Sequence, residues 1–281
     1  MIELGKYQVL EVCQMTANGI YLCEPDTKGI RKVLLPTREV PPQVKLKDKI
    51  RVFIYKDSED REIATTADVP LTVGDTAVLK VKQVTRIGAF LDWGLSKDLL
   101  LPYKEQTIKV KEGDNVLAAL YIDKSDRLCA TMKVYDYLKT GSGYRTGDSV
   151  SGFVYDIIDA FGAFVAVDNV YSALIPNNEL FIPLKYGDVV EARVSHIRED
   201  NKLTLSLRDK SYKQMDTDAQ LILNCLKEEG GFLPYHDKSD AKDIKNRFRM
   251  SKNAFKRAVG RLYKNGYIII EDDGIRLQNN K

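Results

Sequence analysis

Residues 160–168 read Ala160-Phe161-Gly162-Ala163-Phe164-Val165-Ala166-Val167-Asp168. Side chains in a strand alternate between two faces, so Ala163, Val165 and Val167 share one face and Phe164, Ala166 and Asp168 the other. The small and aliphatic face belongs in a core, which turns Phe164 outward. Around this stretch stand Thr146-Gly147-Asp148, Leu174-Ile175-Pro176, Tyr186-Gly187-Asp188 and Asn201-Lys202-Leu203. Glycine, proline and asparagine punctuate short alternating runs, which reads as a succession of strands.

The same landmarks recur 73 to 75 residues earlier as Val73-Gly74-Asp75, Arg86-Ile87-Gly88-Ala89-Phe90-Leu91-Asp92, Leu100-Leu101-Pro102, Glu112-Gly113-Asp114 and Asp126-Arg127-Leu128. A weaker copy lies 66 to 69 residues before that: Asn18-Gly19-Ile20-Tyr21-Leu22, Leu34-Leu35-Pro36, Lys47-Asp48 and Asp60-Arg61. A near-constant offset across successive landmarks defines an internal repeat, here three units of about 70 residues. So small an all-β unit is expected to close into a five-stranded barrel of the oligonucleotide-binding (OB) type, since closure removes exposed strand edges.

The period-two rule places Tyr21, Phe90 and Phe164 at one outward position in the three units. An outward ring suits base stacking, worth about 1–3 kcal/mol per base; packing under a neighbouring domain is the alternative. Trp93 falls on the core face and is expected to pack. Aligned on the turn, Lys80 and Lys82 match Phe153 and Tyr155 on the first strand. The lysines would meet phosphates and Tyr155 would stack. Near the last turn, Asp123 and Arg127 match Asp57 and Arg61, and the third unit carries Arg198 and Lys202 there.

The run Gly-Asp … Phe-Gly-Ala-Phe-Val … Leu-Ile-Pro … Gly-Asp-Val-Val … Lys-Leu-Thr-Leu-Ser-Leu-Arg resembles the S1 RNA-binding domain, a form of OB fold. In that family two aromatic rings, a histidine and an Asp/Arg pair form the RNA face. The resemblance implies RNA-binding roles for Phe161 and Phe164 in the third unit, and for Phe90, Asp123 and Arg127 in the middle unit. Tyr21, Asp57 and Arg61 are what the first unit keeps. Pro102 and Pro176 replace the histidine, Ile87 stands at the first ring of the middle unit, and Arg198 stands at the aspartate of the third.

After about Lys213 the apolar period changes from two to 3.6. Ala219, Ile222, Leu223 and Leu226 form a helical stripe ended by Gly230-Gly231. A second helix is expected from about Ser239 to Phe248. Ser251 reads as the N-cap of a third, with Phe255, Val259, Leu262 and Tyr263 buried and Asn265-Gly266 as its stop. A hairpin around Asp272-Asp273-Gly274 completes a winged helix. Residues 242–264 hold nine Lys/Arg against one acid, Asp243. Lys252, Lys256, Arg257, Arg261 and Lys264 lie opposite the apolar stripe, where they would grip DNA or RNA phosphates, or an acidic protein surface.

Composition narrows the chemistry. The 281 residues are 44% hydrophobic and 30% charged, with a net charge of +3, as for a globular protein. The two histidines, His196 and His236, cannot supply HExxH, and the four cysteines form no CxxC pair. No metal, cofactor or catalytic residue is expected, and no stretch is left for a catalytic domain. No apolar run is long enough to span a bilayer, and the opening Met-Ile-Glu-Leu-Gly-Lys carries no secretory leader, so a cytoplasmic location without membrane contact is expected.

Three S1-type barrels followed by a winged helix is similar to the bacterial conserved virulence factor B family. The expected fold is multidomain and mainly β: S1-like OB domains at 1–68, 69–140 and 144–213, joined across Thr140-Gly141-Ser142-Gly143, then an α+β winged-helix domain at 214–281. The resemblance implies a non-enzymatic RNA-binding regulator of gene expression. Single-stranded RNA is the expected partner, bound through Tyr21, Lys80, Lys82, Phe90, Asp123, Arg127, Tyr155, Phe161, Phe164 and Lys202. Duplex DNA or RNA could bind through the winged helix. A DNA-binding transcriptional regulator and a protein-interaction scaffold are the alternatives.

Overall fold

The computed structural model describes residues 2–25, 31–180, 183–207 and 217–278. The chain divides into two compact units, residues 1–207 and residues 208–281, each taken by itself below. The expected boundary at 213/214 lies outside the described residues.

The first unit holds three closed five-stranded barrels. The first comprises β1 (Tyr7–Thr16), β2 (Gly19–Cys23), β3 (Val33–Pro36), β4 (Lys49–Lys56) and β5 (Glu62–Thr65). The second comprises β6 (Thr76–Val84), β7 (Gly88–Asp92), β8 (Leu99–Pro102), β9 (Asn115–Ile122) and β10 (Leu128–Thr131). The third comprises β11 (Ser149–Ile158), β12 (Gly162–Val167), β13 (Tyr171–Pro176), β14 (Val189–Ile197) and β15 (Leu203–Ser206). Each closes in the order 1-2-3-5-4 of its own strands, with the third and fifth parallel and the other pairs antiparallel.

The repeated landmarks each do a physical job. Gly19, Gly88 and Gly162 open the second strands at φ 139°, 150° and 127°, and a Cβ on them would lie 2.1, 2.3 and 2.1 Å from the carbonyl oxygens of Leu35, Leu101 and Ile175. No other residue fits so close a backbone approach. The aspartates of the later turns, Asp48, Asp114 and Asp188, accept from the backbone amides of Lys45, Lys111 and Lys185 at 2.7 Å each, an Asx-type closure. Gly113 and Gly187 precede two of them at φ 89° and 92°; Lys47 takes that left-handed place in the first barrel at φ 72°. After Pro36, Pro102 and Pro176 comes a 3-10 turn ending in Glu39, Glu105 or Glu179. These glutamates accept from the buried hydroxyls of Thr65, Thr131 and Ser206, tying the turn to the fifth strand.

Inward faces follow the alternation: Ala163, Val165 and Val167 are fully buried in the third barrel core. Outward faces are partly spent on joining barrels. Phe53 and Tyr55 of β4 belong to the cluster that fills the second barrel, and Phe53 meets Trp93 edge-on at 6.0 Å. Trp93 is 3% exposed and its indole donates to the Lys97 carbonyl at 2.6 Å, so it packs as expected. Leu117 and Ala119 of β9 join Phe153, Tyr155 and Ala166 of the third barrel, with Val134 and Leu138 from the intervening segment.

In the second unit, α1 (Thr217–Glu228), β16 (Phe232–Leu233), α2 (Ala241–Phe248), α3 (Lys252–Lys264), β17 (Ile268–Ile270) and β18 (Ile275–Leu277) form a winged helix with sheet order β16-β18-β17. Ala219, Ile222, Leu223 and Leu226 are buried as expected. The short strand β16 carries no periodicity and is visible only through its pairing with β18. Asp240 caps α2 through the Lys242 amide at 2.7 Å, which starts that helix two residues later than expected. Ser251 caps α3 through the Ala254 amide at 3.2 Å. Tyr263 corrects one expectation: it is 57% exposed, and Ala258 completes the buried stripe with Phe255, Val259 and Leu262. At about 100° per residue, Tyr263 sits roughly a quarter-turn from the stripe centre.

Candidate nucleic-acid interface

The first strand of each barrel bulges at one residue, Cys13, Lys82 or Tyr155. Beyond the bulge Gln14, Gln83 and Asp156 lie opposite Tyr21, Phe90 and Phe164, and those rings lie opposite Leu34, Leu100 and Leu174 on the third strand. The three aromatics therefore occupy one register position, each half-buried. A bulge re-aims side chains, and here it decides what flanks each ring.

In the third barrel the rings gather. Phe164 has Phe161 at 6.5 Å, Tyr155 at 6.2 Å and Tyr135 at 6.1 Å between centroids. Phe161 and Tyr135 are 59% and 49% exposed, so each keeps an open face. Tyr155 does not: it is 4% exposed, packed between the second and third barrels. That corrects the expectation of a stacking Tyr155, which supports Phe164 from beneath while its neighbours cover it. Lys202 donates from Nζ to the Tyr135 hydroxyl at 2.9 Å and lies 4.6 Å from that ring's centroid. The Tyr135 hydroxyl, with Asp200 3.6 Å away, holds Lys202 above the usual lysine range.

Tyr135 escapes sequence reasoning because it lies between repeats, in Val134-Tyr135-Asp136-Tyr137, and has no counterpart to align with. Its signal is the placement of an aromatic pair where a linker of small polar residues would suffice.

In the second barrel Phe90 lines an open groove of about 420 Å³ together with Ile87, Leu100, Lys97 and Arg127. The Asp123 carboxylate accepts from the Ser125 and Arg127 amides at 2.7 and 3.0 Å, which shapes the turn. The Arg127 guanidinium turns elsewhere, donating to Asp60 of the first barrel at 2.9 Å. Lys82 is engaged by Asp98 at 2.7 Å and Asp92 at 3.6 Å, which raise its pKa. Lys80 is exposed beside them. In the first barrel Arg61 pairs with its own Asp57 at 2.7 Å, and Asn18 stands before Gly19 where Phe161 stands before Gly162.

On the winged helix, Lys256, Arg257, Arg261 and Lys264 are exposed on the side of α3 opposite Phe255, Ala258, Val259 and Leu262. Lys252 is half-buried and reaches the Lys238 carbonyl at 3.3 Å. Gly260 lies within the basic face with nothing within 4 Å of its would-be Cβ. Among the described residues no cluster of His, Cys, Asp and Glu could hold a metal ion, and no helix is long and apolar enough to cross a membrane.

A family model described as the S1 domain matches residues 4–67 and 73–133, and one described as the CvfB-like winged helix domain matches residues 220–277. An uncharacterized Bacillus subtilis protein, YitL, is 32% identical over 280 residues, 95% of this chain and 91% of that one. Conserved virulence factor B of Staphylococcus epidermidis is 28% identical, covering 98% of this chain and 94% of that one. The chain belongs to the conserved virulence factor B family. A crystal structure of a multidomain protein with nucleic acid binding domains from Streptococcus pneumoniae matches with 27% identity, a TM-score of 0.51 and 98% of both chains covered. The virulence factor B architecture is thus S1-type barrels and a winged helix, modules of nucleic-acid binding, and neither matched model describes a catalytic family.

Proposed function

We propose that this protein is a non-enzymatic, cytoplasmic single-stranded RNA-binding protein that regulates gene expression after transcription. The observation that carries the reading is the ring platform of the third barrel. Phe161 and Tyr135 flank Phe164 at 6.5 and 6.1 Å between ring centroids, both with open faces and with Lys202 bonded to the Tyr135 hydroxyl. Unpaired bases stack on such rings whatever their identity, and a lysine beside them neutralises the backbone. A duplex hides its base faces, so the platform favours single strands. The low net charge of +3 predicts modest, salt-sensitive affinity.

The basic face of α3 favours a second reading, duplex binding through the winged helix. Fluorescence anisotropy of the whole protein with single-stranded RNA, single-stranded DNA and duplex DNA at two salt concentrations separates them. Tightest binding to single-stranded RNA supports the proposal. Tightest binding to duplex DNA, lost only in Arg257→Ala/Arg261→Ala, replaces it with the second reading.

A further inference from the structure

Two cations of the second barrel converge on one carboxylate of the first. Lys97, between β7 and β8, donates from Nζ to Asp60 Oδ1 at 3.2 Å and to the Asp57 carbonyl at 2.6 Å. Arg127, just before β10, donates from Nη2 to Asp60 Oδ2 at 2.9 Å. Asp60 projects from the tight β4–β5 turn at φ 59°. The hydrogen bond from Lys97, then the charges of Lys97, Arg127 and Lys56, hold its carboxyl below the usual carboxylate range. Asp60, Lys97, Arg127 and Lys56 line the groove that also holds Phe90, whose wall continues through Ile87 and Leu100.

Charged donors from separate elements that meet at one oxyanion, next to an open ring in a groove of about 420 Å³, have the composition of a nucleotide site: a stacking floor and a phosphate position. Lys82 on the same face is matched by Asp98, whereas of the groove's own cations, Lys56, Lys97 and Arg127, the last two are held by Asp60 and are the pair that a phosphate would take over from it. We propose that Asp60 of the first barrel occupies the backbone-phosphate position of this groove and so competes with a single-stranded RNA for Lys97 and Arg127. The first barrel, poor in rings of its own, then acts by setting the affinity of the second. The inference rests on the RNA-binding reading above.

Asp60→Asn removes the competing charge and preserves the turn, because Asn201 holds the equivalent place in the third barrel at φ 59°. Binding of a fluorescein-labelled single-stranded RNA of about 15 nucleotides, near the upper site size of one OB fold, is measured by anisotropy across a salt series. Asp60→Asn is expected to tighten binding by about 3- to 10-fold and to steepen the slope of log K against log salt by about 0.7, one more phosphate contact. Adding Lys97→Gln is expected to abolish both gains. An unchanged affinity and slope in Asp60→Asn, with Phe161→Ala still weakening binding, overturns the inference and leaves the RNA reading standing. A lower melting temperature without a change in affinity makes Asp60 a strut between barrels, and also overturns it. Failure of the wild type and every variant to bind RNA removes both.

Discussion

Phe161→Ala isolates the stacking contribution of the third barrel. Phe161 is 59% exposed and touches the aromatic cluster through one edge-on contact with Phe164 at 6.5 Å. Losing that contact costs about 1 kcal/mol of stability, a fall of roughly 2–4 °C in melting temperature for a unit of this size. The open face of the ring accommodates one base, worth about 1–3 kcal/mol. At about 1.4 kcal/mol per tenfold, affinity for single-stranded RNA should fall about 5- to 140-fold. The variant removes no charge, so the salt slope should not move. Phe161→Tyr should bind within about twofold of wild type because the π-face survives. Phe161→Leu, which keeps apolar area but has no π-face, should resemble the alanine variant. Anisotropy titration with a labelled oligoribonucleotide, beside a circular-dichroism melt, reads all of these. Leucine binding as well as phenylalanine would refute stacking, and alanine binding within twofold of wild type would remove Phe161 from the interface. Phe164→Ala is the poorer test, because Phe164 also supports Tyr135 and Tyr155.

Gly162→Ala should destabilise the third barrel by about 2–4 kcal/mol, since its Cβ would lie 2.1 Å from the Ile175 carbonyl at φ 127°; hydrogen exchange localised to β12 and β13 checks this, and native protection there would contradict it. Lys47→Gly, which places glycine where the second and third barrels carry it, should stabilise the first barrel by about 0.5–1 kcal/mol in chemical denaturation, because a left-handed non-glycine residue costs more than the added chain entropy. Burial pushes the thiols of Cys23 and Cys129 up to about 11, so at pH 8 iodoacetamide should modify Cys13 and Cys225 and spare the other two until the chain unfolds, as peptide mass mapping would reveal.

Barrel number and closure were legible because each landmark repeats at a constant offset and each satisfies a local demand: a glycine against a carbonyl, an aspartate closing a turn, an aromatic beside the bulge. The winged helix was legible from the change of period and from Ser251. What escaped was long-range. The alternation that turned Phe164 outward also turned Tyr155 outward, correctly as a direction, yet outward from one barrel is inward between two. Phe153, Tyr155 and Ala166 share that fate with Leu117 and Ala119. Asp60 was visible as one end of a local turn motif; that it answers Arg127, 67 residues away, depends on the docking of the barrels. Tyr135 belongs to no repeat at all.

The docking itself has a pattern that bears on function. Outward positions of the fourth strand are Arg51 and Phe53 in the first barrel, Leu117 and Ala119 in the second, and Glu191 and Arg193 in the third, matched by their pairing with the first strands. Phe53, Leu117 and Ala119 are fully buried, each against the barrel that follows. Glu191 is exposed, so the third barrel offers no apolar seat of this kind. A repeat that spends one outward face on its successor keeps for a ligand the face of its second and third strands, with the turn that leads into it, and the turn between its fourth and fifth strands. Those are where Phe90 and Arg127, and Phe161, Phe164 and Lys202, lie. Because each junction also places a residue beside that remaining face, Asp60 at the first and Tyr135 at the second, neither candidate surface is set by its own barrel alone. Cutting the three barrels apart would therefore change the binding surfaces and not merely their number.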